Sequence, residues 1–135
     1  MPLVLVRHAW AGDRAGWDGD DRERPLDERG RRQSRELIER LDGLAVEEII
    51  TSPYRRCVQT VEPLASVLGL EPILRPELGE DRQETEGRTL VRELAGRDVV
   101  VCGHGGLQHA LVDPPAWRKG IAFVVGPDLT IENVL

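Results

Sequence analysis

The sequence predicts a single α/β domain built as three layers, with helices on both faces of a mostly parallel central β-sheet. Leu3–Val6 and Val99–Cys102 are continuous apolar runs, which are typical of strands buried on both faces. Amphipathic helical patterns alternate with such runs, and this alternation indicates parallel strands joined by helices. The length of 135 residues suits one domain with its own core, so we expect residues 1–135 to form one domain.

Leu3–Val6 is the first predicted strand. The next residues, Ala9–Pro25, are rich in Gly, Asp and Arg and predict a long surface loop, a kind of segment that is often functional. Asp27 suits the N-cap of a helix that runs to about Leu41, because the apolar residues after it fall on one helical face.

The second strand and helix follow in the same order. Glu47–Thr51 predicts a short strand, and Ser52-Pro53 predicts a helix start, since a capping hydroxyl followed by proline suits the first turn. We expect this helix to run to about Leu68 and to be bent or broken at Pro63, because proline cannot donate the helical hydrogen bond.

The second half of the chain continues the alternation. A polar stretch at Pro76–Gly87 separates a short strand from the next helix, and a glycine-rich turn at Gly103–Gly106 separates a buried strand from another helix. The predicted strands are 72–75, 98–102, 120–125 and 130–134, and the predicted helices are 88–94 and the segment from the glycine-rich turn to Val112.

Composition narrows the classes of partner. The chain has 18 basic and 24 acidic residues, and a net charge of −6 disfavours nucleic acid or an anionic membrane as the main partner. Neither a signal peptide nor an apolar run of membrane-spanning length is recognisable, so we expect a cytoplasmic protein. Cys57 and Cys102 lack disulfide-scaffold and metal-ligand spacing and are expected to be buried, reduced thiols.

Basic side chains follow three predicted strands at the point where each strand ends. Arg7 and His8 follow the first strand, Arg56 lies just past the second, and His104 follows the strand that ends at Cys102. Because ligands of parallel α/β folds bind at the carboxyl ends of the strands, we expect these side chains to meet at one rim. The alternative explanation of the two histidines is a pair of hydrogen-bonded structural residues.

Four segments resemble the motifs of the histidine phosphatase superfamily, which has the phosphoglycerate-mutase-like fold, and they occur in the order of that family. Arg7-His8-Ala9 is similar to the Arg-His-Gly signature, with Ala9 in place of Gly. Leu26–Gln33 resembles the Leu-Thr-x-x-Gly-x-x-Gln segment, and Ser52–Thr60 resembles Ser-Pro-x-x-Arg-x-x-Gln-Thr. Val101–Gly106 resembles the segment that carries the second histidine of the site.

The short chain is most similar to members of the family without a cap insertion. These include the SixA-type protein-phosphohistidine phosphatases and the phosphatase-like domains found beside Nudix hydrolases, which Asp20–Arg31 resembles especially. The resemblance implies that the protein needs no cofactor and no metal. It also implies a phosphorylated protein or a small phosphorylated molecule as partner, with a Nudix-type enzyme as a further candidate partner. The segment from Asp113 onward contains no motif that aligns.

The resemblance also implies a role for each residue of the rim. His8 would be the nucleophile that forms a phosphohistidine intermediate. Arg7 and Arg56 would bind phosphate oxygens through their planar guanidinium groups, and His104, if protonated, would add a third positive charge. Phosphoryl transfer requires this combination of an aligned nucleophile and positive charge around the equatorial oxygens.

Glu80 lies in a Leu-Gly-Glu segment similar to the Leu-x-Glu stretch in which family phosphatases that act on esters carry an acid. An alkoxide leaving group needs a proton from such a group, whereas an imidazole leaves more readily. A solvated acidic loop would explain the same residues, and the assignment remains open among Glu80 and its acidic neighbours Glu77, Asp81 and Glu84.

These observations predict a cofactor-independent phosphatase acting on a protein phosphohistidine or a small phosphoester. A phosphoglycerate-mutase-like enzyme and a nucleotide phosphomonoesterase are alternatives, and a mutase is disfavoured because an open site cannot easily keep water from its phosphoenzyme. A non-catalytic phosphate-binding module that partners a Nudix-like enzyme is an alternative of another class. Trp10 and Trp17, in the loop after His8, are expected either to line the mouth of the site or to pack.

Overall fold

A six-stranded β-sheet forms the centre of the protein, and the computed structural model describes residues 2–135. The sheet order is β3-β2-β4-β1-β5-β6. Strands β1 to β4 pair in parallel, whereas β5 and β6 form an antiparallel edge. The strands are β1 (Leu3–Arg7), β2 (Glu48–Thr51), β3 (Ile73–Leu74), β4 (Val99–Gly103), β5 (Ala122–Val125) and β6 (Ile131–Val134).

Helices cover both faces of this sheet, so the predicted three-layer, mostly parallel α/β fold is confirmed. On one face, α1 (Glu28–Arg40) and α2 (Arg55–Leu68) pack over β-strand side chains such as Val4 and Val6. On the other face, α3 (Arg88–Leu94) and a 3-10 helix at Gly105–Ala110 pack over a second apolar core. Met1, the first residue of the predicted domain, lies outside the described residues.

The register of the parallel strands brings their carboxyl ends to one edge. Arg7 at the end of β1 pairs with Gly103 at the end of β4, and Thr51 at the end of β2 pairs with Cys102. The amides of His8 and Ser52 then donate to carbonyl groups of β4, so the chain leaves all three strands at the same level. The functional side chains of this rim are therefore neighbours because of strand pairing.

The predicted start of the second helix is wrong by two residues. Helix α2 begins at Arg55 with Tyr54 as its N-cap, and no side chain caps it. The Ser52 hydroxyl does not cap the helix: it accepts from the Tyr54 amide at 3.3 Å and contacts the His104 ring. Pro63 does not break the helix, which runs without interruption to Leu68.

Three other predicted boundaries also shift. The segment after the glycine-rich turn is a 3-10 helix that ends at Ala110, not a helix through Val112, which instead bridges to Thr130. Strand β5 begins two residues later than predicted because the Gly120 amide is turned towards the carbonyl groups of Arg7 and His8. The strand predicted at 72–75 pairs over only two residues.

Two segments that lack a regular sequence pattern contain short helical turns. The predicted loop has 3-10 turns at Arg14–Gly16 and Asp21–Glu23. The polar stretch has a 3-10 turn at Pro76–Leu78 and a π-helical turn at Gln83–Gly87 that continues into α3. None of the helices in residues 2–135 combines the length and apolar character needed to cross a membrane. Cys57 and Cys102 are buried free thiols, as predicted.

Candidate active site

His8 lies just beyond β1 with one ring nitrogen committed to the backbone. Its Nδ1 is 2.8 Å from the carbonyl oxygen of Ala9, and because a carbonyl only accepts, the ring proton is on Nδ1. The lone pair of the neutral ring is therefore on Nε2. Burial lowers the pKa of His8 to about 4, so the ring is neutral at pH 7. A neutral, oriented imidazole of this kind is a competent nucleophile.

The depressed pKa of His8 makes stability depend on pH in a defined direction. Between about pH 6.5 and 4 the unfolded chain takes up a proton on His8 that the folded chain does not, so unfolding becomes easier as the pH falls. We expect a loss of up to about 3 kcal/mol across this range relative to a His8→Asn variant. Urea unfolding of both proteins at pH 7, 5 and 4 measures it, and parallel pH profiles would contradict the assignment.

His104 faces His8 across the end of the sheet, with ring centroids 5.5 Å apart. Its Nε2 is 3.0 Å from the Ser52 hydroxyl, which can donate to it and so leave the ring proton on Nδ1. Nδ1 lies 3.7 Å from a carboxylate oxygen of Glu80. Nδ1, which has no hydrogen-bond partner, is therefore able to donate to an anion.

Arg56 extends from the first turn of α2 into the same place and is fully buried, with 0% of its surface exposed. Its Nη1 donates to the Asp21 carbonyl at 2.8 Å, and Nη2 donates to the carboxylates of Asp21 at 3.1 Å and Glu80 at 2.6 Å. Its neighbour Arg55 is exposed. The fixed orientation of the Arg56 guanidinium thus depends on two acidic residues from different loops.

The carboxylate of Glu80 accepts hydrogen bonds from two arginines that come from different segments of the chain. One carboxylate oxygen accepts from Arg14 at 2.7 Å and the other accepts from Arg56 at 2.6 Å. Burial alone would raise the pKa of Glu80, but the hydrogen bond from Arg14 and the nearby His104 and Arg56 outweigh it and hold the pKa below its usual range. Glu80 is therefore ionised in the ligand-free site.

Three buried nitrogen atoms of the site have no hydrogen-bond partner. They are Arg7 Nε, Arg56 Nε and His104 Nδ1, and within residues 2–135 no other buried side-chain nitrogen lacks a partner. Buried polar groups are nearly always paired, so an unsatisfied group requires a specific explanation. Arg7 and His104 line the cleft beyond β1 and β4, and Arg56, in the first turn of α2, contacts Glu80, which also lines it. These unpaired donors are available to an oxyanion.

Motif residues outside the rim hold its backbone in place. The Thr60 hydroxyl accepts from the amide next to His8 at 2.9 Å, and the Gln59 side chain accepts from the Leu26 amide at 2.8 Å. Gly30 packs so tightly against the chain that a Cβ atom there would lie 1.9 Å from the Trp10 carbonyl oxygen. These residues fix the loop that follows the candidate nucleophile.

His8, the candidate nucleophile, lines a cleft of about 820 Å³. Trp10 lines this cleft, whereas Trp17 is exposed, donates its Nε1 to the Asp20 carbonyl and is not part of the lining. Most of the charged residues lining the cleft are cationic, in contrast to the net charge of the chain. The charged lining residues are Arg7, Arg14, Arg24, Arg29 and Lys119 together with Asp13, Asp27 and Glu80.

The structure brings all five residues singled out in the sequence into one constellation: Arg7, His8, Arg56, Glu80 and His104. Sequence reasoning missed Arg14 and Asp21, which contact Glu80 and Arg56, and Lys119, which lines the cleft. All three come from loops, and only Asp21 lies in a segment, Asp20–Arg31, that resembles part of the family. The signal for Arg14 was the density of charge in the long loop after His8.

No group of three or more His, Cys, Asp or Glu side chains within residues 2–135 is arranged to hold a metal ion.

The sequence pattern of the histidine phosphatase superfamily (branch 1) matches residues 3–91, and the chain belongs to this superfamily. The match includes His8, Arg56 and Glu80, whereas His104 lies beyond it.

Two relatives and one solved structure illustrate the similarity. An 8-oxo-(d)GTP phosphatase of Mycolicibacterium smegmatis is 37% identical over 118 residues, which cover 82% of this chain and 36% of that protein. A protein of Cronobacter sakazakii named "Probable phosphoglycerate mutase GpmB" is 35% identical over 83 residues, which cover 59% of this chain and 38% of that protein. This chain thus spans little more than a third of either relative. The protein histidine phosphatase SixA complexed with tungstate superposes with a TM-score of 0.79 at 23% identity, covering 100% of this chain and 96% of that one, which shows the shared fold.

Proposed function

We propose that the protein is a cofactor-independent phosphatase that transfers a phosphoryl group from its substrate to Nε2 of His8. The observation that carries this proposal is the neutral His8 ring, whose Nδ1 is committed to the backbone, in a site that holds three unpaired buried donors. Family membership and a relative named as a phosphatase support the activity. The proposed substrate is a protein phosphohistidine or a small phosphoester, either of which the cleft formed by residues 2–135 can admit.

The reaction follows from this geometry in two steps. His8 Nε2 attacks phosphorus while Arg7, Arg56 and His104 donate to the equatorial oxygens, and the bond to the leaving group breaks. Water then attacks the phosphohistidine, which releases phosphate and restores the neutral ring. Removing one preorganised donor of this kind typically costs about 3–4 kcal/mol of transition-state stabilisation.

Glu80 is proposed as the proton donor for ester leaving groups. It is ionised in the ligand-free site, but a bound phosphate dianion repels its negative charge and competes for Arg56. Both effects raise the pKa of Glu80 when substrate binds, so the carboxyl group acquires the proton it later transfers. The protonation of this residue is thus linked to occupancy of the site.

A Glu80→Gln variant is expected to separate the two substrate classes. Hydrolysis of an alkyl phosphate such as glycerol phosphate falls by about 10²-fold, because the amide cannot protonate the alkoxide. Hydrolysis of a phosphohistidine peptide falls by less than about tenfold, since imidazole needs less assistance to leave. The measurement is kcat/KM on both substrates, with exposed Glu84→Gln as the matched control. Equal retention of both activities in Glu80→Gln would remove this residue from the mechanism.

Substrate preference is tested by measuring turnover of p-nitrophenyl phosphate and a phosphohistidine peptide side by side with the wild-type protein. Hydrolysis of the peptide with little ester turnover supports a phosphohistidine phosphatase, and brisk ester turnover supports a small-molecule phosphatase. Phosphate binding without turnover of either substrate would favour the alternative of another class, a non-catalytic module that partners a Nudix-type enzyme.

A nucleotide phosphatase is the second candidate function. The relative named 8-oxo-(d)GTP phosphatase favours it. The named activity belongs to a protein of which this chain spans 36%, so the shared module does not by itself account for it. A phosphoglycerate mutase is disfavoured because the cleft is open and water reaches a phosphoenzyme there.

A further inference from the structure

The cleft extends from His8 to a second group of cations around Trp10. The Arg29 guanidinium carbon lies 4.3 Å and the Lys119 ammonium nitrogen 4.6 Å from the centre of the Trp10 ring. We call these three residues the Trp10 subsite. They line both the main cleft and an adjoining cavity of about 570 Å³, and Arg7 lines both as well. The subsite is thus continuous with the site of phosphoryl transfer.

One side chain holds the parts of the Trp10 subsite together. Gln33 accepts from the Trp10 amide at 3.0 Å and donates to the Lys119 carbonyl at 3.1 Å. Arg29 lies four residues earlier on α1 and so shares a helical face with Gln33. Gly120, the residue after Lys119, donates to the backbone carbonyl groups of Arg7 and His8. The arrangement is therefore fixed next to the candidate nucleophile.

The two cations of the Trp10 subsite have no acidic partner. Neither Arg29 nor Lys119 forms an ion pair with a side chain among residues 2–135. Burial and the surrounding arginines, Arg7 first among them, lower the pKa of Lys119. Cations collected in a cleft without counter-charge favour an anionic ligand.

The acidic residues that line the cleft do not compensate these charges. Glu80 is bound to arginines at the other side of the site. Asp27 caps α1 and accepts from two backbone amides, and Asp13 accepts from the Ala15 amide. A ligand group at the Trp10 subsite therefore meets two cations with no competing carboxylate bound to them.

We propose that the Trp10 subsite binds a second phosphate group, joined through a phosphoanhydride bond to the phosphoryl group that is transferred to His8. The inference rests on the proposed function. The guanidinium groups of Arg7 and Arg56 already match the charge of one phosphate dianion, and His104 adds a donor, so Arg29 and Lys119 exceed what a monophosphate needs. The substrate class is a diphosphate, either a nucleoside 5′-diphosphate or inorganic diphosphate.

With such a substrate, the terminal phosphoryl group of the diphosphate is transferred to His8. A bond forms between His8 Nε2 and the terminal phosphorus, and the bridging P–O bond breaks with its electron pair remaining on the second phosphate. Arg29 and Lys119 stabilise the charge that develops there, so this leaving group needs no proton from Glu80. Water then attacks the phosphohistidine and releases the transferred phosphoryl group as inorganic phosphate, which restores the neutral His8 ring.

Calorimetric titration with methylenebisphosphonate and methylphosphonate tests the subsite without turnover, since neither compound is hydrolysed. The wild-type protein is expected to bind the bisphosphonate at least about tenfold more tightly, the value of one charge-assisted hydrogen bond. Lys119→Met and Arg29→Gln are each expected to reduce this ratio by about threefold or more. The control Arg35→Gln, an exposed arginine on the same helix outside the cleft, leaves the ratio unchanged.

A methylene analogue of a nucleoside diphosphate distinguishes the two sources of the diphosphate. Tighter binding of this analogue than of methylenebisphosphonate supports a nucleotide, and equal binding supports inorganic diphosphate. A wild-type protein without preference for the bisphosphonate, or a ratio unchanged in both variants, overturns the inference. Because the readout is affinity, a failure of the subsite can be told apart from a failure of the phosphatase proposal, which is measured by turnover.

Discussion

Replacement of His8 by alanine is expected to lower kcat/KM on both p-nitrophenyl phosphate and a phosphohistidine peptide by more than roughly 10⁴-fold. The variant retains the positive charges of the site but has no nitrogen to accept the phosphoryl group, and removal of a nucleophile usually has the largest effect of any substitution in an active site. The loss is expected for both substrates because each passes through the same intermediate.

His109 is the matched control for this experiment. It is the third histidine of the chain, it is exposed, and it lies outside the cleft, so His109→Ala is expected to retain wild-type turnover. Phosphate affinity of His8→Ala provides a second readout, because Arg7, Arg56 and His104 remain. Turnover unchanged in His8→Ala would show that the family's nucleophile has no such role here.

Replacement of Arg56 by alanine is expected to affect both turnover and folding. Turnover falls by about 10³-fold, because the variant loses the positive charge and the unpaired Nε that are proposed to bind the transferred phosphoryl group. Stability falls by about 2 kcal/mol, which is less than the ~3–5 kcal/mol for a fully buried pair because Asp21 and Glu80 are each about one-third exposed. Urea unfolding and kcat/KM measure the two effects separately.

Arg55 offers a control one residue away on the same helix. It is exposed, and Arg55→Ala is expected to change stability by less than about 0.5 kcal/mol and to leave turnover unchanged. Arg56→Lys retains the charge without the planar guanidinium, so it is expected to recover stability more than turnover. Equal effects of Arg55→Ala and Arg56→Ala would contradict the assignment of Arg56 to the site.

The part of the site that could be predicted from sequence is the part attached to strand ends. Arg7, His8 and His104 follow buried apolar runs, and parallel pairing brings such positions together whatever the loops do. Arg56 could be singled out only by the resemblance of Ser52–Thr60 to the family segment, because position after a strand does not distinguish it from Arg55. Its environment differs because the first turn of α2 directs one arginine into the protein and its neighbour outward.

The loops could not be predicted in the same way. Arg14 and Lys119 are distant in the chain from the residues they accompany. Tertiary contacts hold them, such as the hydrogen bonds from Arg14 to Glu80 and from Gln33 to the Lys119 carbonyl. The shifted start of α2 has a similar cause. A hydroxyl followed by proline is a good helix start locally, but Ser52 instead contacts His104, so tertiary contacts override the local preference.

The most direct test of the central claim is to trap the phosphoenzyme. Radiolabelled substrate is mixed with the protein, quenched within milliseconds under alkaline conditions that preserve phosphohistidine, and the labelled peptide is identified by mass spectrometry. We predict one acid-labile phosphoryl group per chain, located on His8 and absent from His8→Ala. Turnover accompanied by no labelled protein, or by label on His104 instead, would contradict the assignment of His8 as the nucleophile.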